Sequence, residues 1–189
     1  MKATLLLALA LVAQSVAAQI VAQPPDSPAA PAWDKGIQPI SRDSYWNAID
    51  CGKQPGARPA CVFYDADLCK NDDFALTFFT PYKMVSYEVW QTVRRKQPAP
   101  QPDYGAAQRT RVTLGITPVK GSKNRITALN VKRDGKTIKP ATQTVDEAGG
   151  RFIFDPVVFA PTSEITIELV GKTSTKTCVV PPDVLKTFR

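Results

Sequence analysis

Four cysteines, a run of carboxylates between Asp65 and Asp73, and the absence of any histidine bound the chemistry open to this 189-residue chain. Cys51, Cys61, Cys69 and Cys178 form an even set with no Cys-x-x-Cys pair, and no imidazole is present to complete a zinc site. Disulfide bridges are therefore the expected use of all four, and three pairings are open to them. Without histidine, Ser-His-Asp and Cys-His mechanisms are excluded, along with the commonest general base near neutral pH. No Ser-x-x-Lys arrangement, Gly-x-Ser-x-Gly elbow, glycine-rich phosphate loop or dinucleotide fingerprint occurs. No cofactor is expected.

Two uses remain for the acidic run. Asp65, Asp67, Asn71, Asp72 and Asp73 place hard oxygen donors within nine residues, a candidate calcium loop. The spacing departs from the EF-hand pattern, since Cys69 stands where a third oxygen ligand belongs and no glycine follows. Alternatively, two of the carboxylates hydrolyse a glycoside if a cleft holds them on either side of the scissile bond. Against both stands a plainer use, a solvated acidic turn that caps the following strand.

Charge is unevenly distributed. Residues 19–104 carry nine Lys/Arg against ten Asp/Glu, whereas residues 105–189 carry fourteen against seven. The cationic half supplies basic candidates for an anionic partner: Lys120, Lys123, Arg125, Lys132, Arg133 and Lys136. Solubility is the competing explanation, because these residues are spread over several expected strands and turns. Nucleic acid is not an expected partner, since no run interleaves basic residues with aromatic ones. Trp33, Trp46 and Trp90, with Tyr45, Tyr64, Tyr82 and Tyr87, supply aromatic surface for a sugar or a protein, or else core.

The N-terminus has the form of an export signal. Lys2 is followed by the apolar run Leu5 to Val12 and then Ser15-Val16-Ala17-Ala18, which predicts a signal peptide over 1–18, cleavage after Ala18 and a periplasmic or extracellular destination. The apolar run is too short to span a bilayer, and no later segment is apolar enough to insert stably. A Pro/Ala-rich tether is expected over 19–40, a Cys-containing loop region over 41–73 with at most a short helix near Asp43 to Ile49, and the main domain over 74–189.

The elements of that domain follow from periodicity. Phe74, Leu76 and Phe78 alternate as on a half-buried strand. Thr80-Pro81 is a helix start and Arg94-Arg95-Lys96 suits a helix end, which predicts a helix over 81–96. Val85, Tyr87, Val89 and Val93 recur with period two, and a strand is the alternative there. Strands follow at 111–117, with Val112, Leu114 and Ile116 on one face, at 126–131, at 151–154, at 164–170, with Ile165, Ile167 and Leu169 inward, and at 173–180. Asp134-Gly135 marks a tight hairpin, and residues 155–161 a compact crossing turn. The pattern predicts a mostly β chain: an immunoglobulin-like β-sandwich with one inserted helix and an N-terminal disulfide-stapled loop region. Cys69 lies just before the first strand and Cys178 on the last, while Cys51 and Cys61 flank Gly52-Lys53-Gln54-Pro55-Gly56. Pairing Cys51 with Cys61 and Cys69 with Cys178 is the resulting expectation.

Thr80-Pro81-Tyr82 at the strand-to-helix junction and Thr117-Pro118-Val119-Lys120-Gly121-Ser122 after the Pro-rich link resemble uncharacterised exported bacterial β-sandwich proteins. The resemblance covers about 50 residues, rests on turn chemistry and implies a helix after Thr80 but no activity. The sequence thus points to a non-enzymatic exported binding or structural module whose partner is a protein or an anionic envelope polymer. One alternative is a small secreted carbohydrate-active enzyme or carbohydrate-binding accessory using residues 65–73, and another is an inhibitor-like domain acting through the loop from Cys51 to Cys61.

Overall fold

A computed structural model describes residues 37–189 other than 38, 99 and 110. The expected signal peptide and its cleavage point, most of the tether, and Trp33 lie outside the described residues. In chain order the elements are helix α1 (Arg42–Gly52), strand β1 (Phe74–Phe79), α2 (Pro81–Arg94), α3 (Tyr104–Gln108), β2 (Val112–Pro118), β3 (Ile126–Arg133), β4 (Lys136–Ile138), β5 (Thr142–Asp146), β6 (Gly149–Phe154), β7 (Ile165–Gly171), β8 (Thr175–Val180) and α4 (Pro182–Lys186).

The fold is mostly β, in two antiparallel four-stranded sheets ordered β1-β2-β6-β5 and β4-β3-β7-β8. Their inner faces share one apolar core. Phe78 lies opposite Leu114, which lies opposite Phe152 in the first sheet, and Val131 opposes Ile167 in the second. Alternation explains this arrangement: successive side chains on a strand point to opposite faces, so apolar residues two apart all reach the core. Phe159, on a 3-10 turn at Pro156–Phe159, and Phe188, beyond α4, close the core against Phe78 at ring separations of 5.6 and 4.7 Å. Between β3 and β4, Asp134 (φ 49°) and Gly135 (φ 72°) both adopt the left-handed conformation that a type I′ hairpin turn requires.

Between β1 and its partner β2 the chain leaves the sheet to build a helical layer. Thr80 caps α2, its hydroxyl accepting from the Lys83 amide at 3.1 Å, and Pro81 occupies the first turn where its missing N–H costs nothing. Helix therefore prevails over the period-two alternative, for Tyr82, Ser86 and Val89 are buried at helical spacing. The expectation of a loop region over 41–73 is corrected at its start. Ser41 caps an eleven-residue helix, α1, which buries Tyr45, Ala48 and Ile49 against α2. Gly52 lets the helices approach closely, since a Cβ there would meet the Ser86 carbonyl oxygen at 2.5 Å and the Val89 Cβ at 2.7 Å. The single inserted helix expected from sequence is likewise two, α2 and α3. Ile37 and Ile40, at the end of the expected tether, are buried, one in the sheet core and the other in the helical layer.

Two disulfides, Cys51–Cys61 and Cys69–Cys178, follow the pairing expected from sequence. The first ties the end of α1 to the segment before Val62. The second pins the entry of β1 to β8 across 109 residues. Among the described residues no helix is long and apolar enough to cross a membrane.

Candidate functional site

The residues that sequence pattern marked as an acidic site separate into three structural roles. Asp65 points inward, where it and Lys83 form a wholly buried ion pair whose side chains are each 1% exposed. Its other oxygen accepts from the Phe78 amide at 2.6 Å. Burial pushes the Lys83 amine below its usual pKa, against the opposing pull of Asp65. Asp67 faces solvent and approaches Lys70. Asn71 folds back on its own turn, accepting from the amides of Asp73 and Phe74 at 2.9 Å each, and so caps the entry to β1. Asp72 is exposed. The candidate calcium loop is thus not assembled: among the described residues no group of three or more acidic, cysteine or histidine side chains is placed to hold a metal.

Asp73 belongs to a different structure. Its carboxylate gathers the Ser122 hydroxyl at 3.1 Å, the Asn124 amide at 3.0 Å, the Ser174 hydroxyl at 3.2 Å and the Lys176 ammonium at 3.4 Å. The Asn124 hydrogen bond, aided by both hydroxyls and the Lys176 charge, holds the carboxyl below its usual pKa. Asn124 is itself buried, donates to the Ser174 carbonyl at 3.1 Å and accepts from the Thr173 amide at 3.0 Å. These contacts lock the β2–β3 turn, the β7–β8 turn and the start of β1 into one rigid end of the molecule.

That end is cationic. Lys120, Lys123 and Arg125 leave the β2–β3 turn, while Lys172 belongs to the β7–β8 turn and Lys176 to the start of β8; the Lys172 amide donates to the Arg125 carbonyl at 2.9 Å. The Arg125 guanidinium binds the Ser122 and Asn124 carbonyls and stiffens its own turn. Lys120, Lys123 and Lys172 are exposed, with no side-chain ion pair or hydrogen bond to other described residues. The remaining basic candidates lie at the far end of β3, roughly 23 Å away at the rise of a strand. There Lys132 pairs with Glu168 at 2.5 Å. Arg133 clamps the crossing turn through Ser163, Thr162 and the carbonyls of Val157 and Val158. Lys136 is exposed. The six candidates therefore do not form one patch.

A surface cavity of about 310 Å³ lies beside Asp65, lined also by Phe63, Tyr64, Asp67, Leu68 and Phe188 among others. It collects aromatic rings but one solvent-facing carboxylate, Asp67, itself 3.5 Å from the Lys70 ammonium, because Asp65 is committed to Lys83 and the Phe78 amide. Tyr64 shares a hydrogen bond with the Thr80 hydroxyl at 3.2 Å, and burial raises its pKa. Of the tryptophans, Trp90 packs against Phe63 and Tyr87 at 4.8 and 5.3 Å with Arg94 over its ring, inside the helical layer. Trp46 is 48% exposed and rests edge-on against Tyr45. No protein-family model, curated protein or solved structure matches this chain.

Proposed function

We propose that this chain is an exported, non-enzymatic binding module on an immunoglobulin-like sandwich, and that the cationic turn end engages an anionic envelope polymer. Strand order supports the immunoglobulin-like reading. The order β1-β2-β6-β5 has the form A-B-E-D, and β8-β7-β3-β4 the form G-F-C-C′, of that architecture. The bridge between the two central strands that typifies antibody domains is replaced by one joining the entry of β1 to β8. Two disulfides support an oxidising, extracytoplasmic destination.

The observation that carries the binding reading is the fixing of Lys120, Lys123 and Lys172 on turns held by the Asp73 network. Rigid turns present charge without the entropy cost of ordering a loop on binding. Catalysis by paired carboxylates draws no support from residues 65–73, since Asp65 and Asp73 are each engaged by cations and amides. The test is titration with an anionic polysaccharide such as alginate at low and high salt. Binding weakened by salt and abolished in the Lys120→Glu/Lys123→Glu variant, with Lys136→Glu unaffected, is the expected result. Equal loss at Lys136, or salt-insensitive binding of a neutral glycan in the cavity by Tyr64, would overturn the assignment in favour of a carbohydrate accessory.

A further inference from the structure

The Lys83–Asp65 pair has a geometry that neither the binding reading nor a simple ion pair requires. An ammonium offers three protons, yet among the described residues the Lys83 Nζ has a single hydrogen-bond acceptor, Asp65 Oδ1. Its other neighbours are the faces of Tyr64 and Phe79, whose ring centres lie 5.3 and 5.7 Å away. Removing both charges from water costs several kcal/mol per ion, and one contact is a poor return for it. Neutralising the pair removes that cost.

We propose that Lys83 and Asp65 condense to an intramolecular isopeptide bond, a third covalent cross-link in this fold. The amine of Lys83 attacks Cγ of Asp65 once a proton has passed from Nζ to Oδ1. Negative charge then develops on Oδ2, which accepts from the Phe78 amide at 2.6 Å, a fixed donor aimed where the tetrahedral oxyanion forms. Oδ1 leaves as water, carrying two of the three ammonium protons. The third stays on the new amide nitrogen, and Oδ2 becomes the amide oxygen, still on the Phe78 N–H. No oxidant or co-reactant is consumed. Burial lowers the amine's pKa and so favours the nucleophilic form. Aromatic walls exclude the bulk water that would reverse the step. The cavity lined by Tyr64, Asp65 and Leu68 gives the product water a way out.

The amide would tie the segment that follows the Cys51–Cys61 bridge to the first turn of α2. The test is the mass of the exported, full-length mature protein after complete reduction of its disulfides, followed by peptide mapping. A mass lower by one water, with the loss carried by a branched peptide joining Lys83 to Asp65, is the expected result. The Lys83→Arg and Asp65→Ala variants should show their full calculated masses. An Asp65→Asn variant should release ammonia in place of water. Wild-type protein at its full mass, or a water loss that maps elsewhere, overturns the proposal, and does so even if none of the variants folds.

Discussion

Removing each disulfide as a serine pair should have unequal effects, with a size set by loop length. Cys51–Cys61 closes a separation of 10 residues and Cys69–Cys178 one of 109. In the chain-entropy account these lengths correspond to about 2.7 and about 4.8 kcal/mol. The long bridge also packs against the sheet core, with both sulfurs partly buried there. Its removal should therefore cost about 2 kcal/mol more, or roughly 4–8 °C more in Tm for a domain of this size. Thermal scans of the C69S/C178S and C51S/C61S proteins, each compared with wild type, measure the difference. Far-ultraviolet circular dichroism follows the secondary structure, and in a Trp33→Phe background tryptophan fluorescence follows the helical layer, where Trp46 and Trp90 reside. If the C51S/C61S pair lowers Tm equally or more, loop closure is not what the bridges contribute. If fluorescence and dichroism separate only in C51S/C61S, the short bridge serves to couple the helical layer to the sheets.

Burial raises the Tyr64 pKa, so above about pH 10 the unfolded chain loses this proton before the folded chain does. Stability from Tyr64 is thus full below the unfolded pKa and falls as pH rises through the alkaline range. Urea denaturation from pH 8 to 11 should show a decline that is smaller in Tyr64→Phe, and an identical decline in both proteins would contradict it. Replacing Asn124 with alanine leaves the Thr173 amide without its acceptor and takes a donor from the Ser174 carbonyl, at a cost of about 2–3 kcal/mol. Amide hydrogen exchange should then speed up at Thr173, whose amide loses its acceptor, before it does in the strands, and uniform acceleration would mean that Asn124 is not a local lock.

Both sheets are legible in the sequence where large apolar residues alternate. Val112, Leu114 and Ile116, and Ile165, Ile167 and Leu169, are all buried, as their period-two spacing requires. Strand β5 is not legible, because all five of its residues are exposed at a sheet edge and no alternation survives there. Helix α1 does leave a signal, the Ser41 cap followed by Tyr45, Ala48 and Ile49 at helical spacing, but a polar sequence and the glycines and prolines beyond it mask its length. The acidic run misleads for a different reason. Proximity in sequence makes five oxygen donors look like one site, whereas Asp65 meets a lysine 18 residues away and Asp73 meets side chains 49 to 103 residues away. Nothing local encodes such partners, since only the folded chain brings them together: the start of α2 meets the segment before β1 for Asp65, and the paired sheets bring the turns together for Asp73.

The long bridge also determines how this molecule would bear mechanical load. A pull applied between Ile37 and Arg189 is transmitted along the backbone to Cys69 and Cys178 and passes through the sulfur–sulfur bond. The stretch between them, which holds α2, α3 and strands β1 to β7, lies outside the load path. Only the segments on either side, residues 37–51, 61–69 and 178–189, can be drawn out, by roughly 110 Å at full extension, because the Cys51–Cys61 bridge keeps its own loop out of the load path as well. Anchored at both ends, the module would behave as a short spring in series with a covalent stop, and reduction of that one bond would expose the sandwich to the full load.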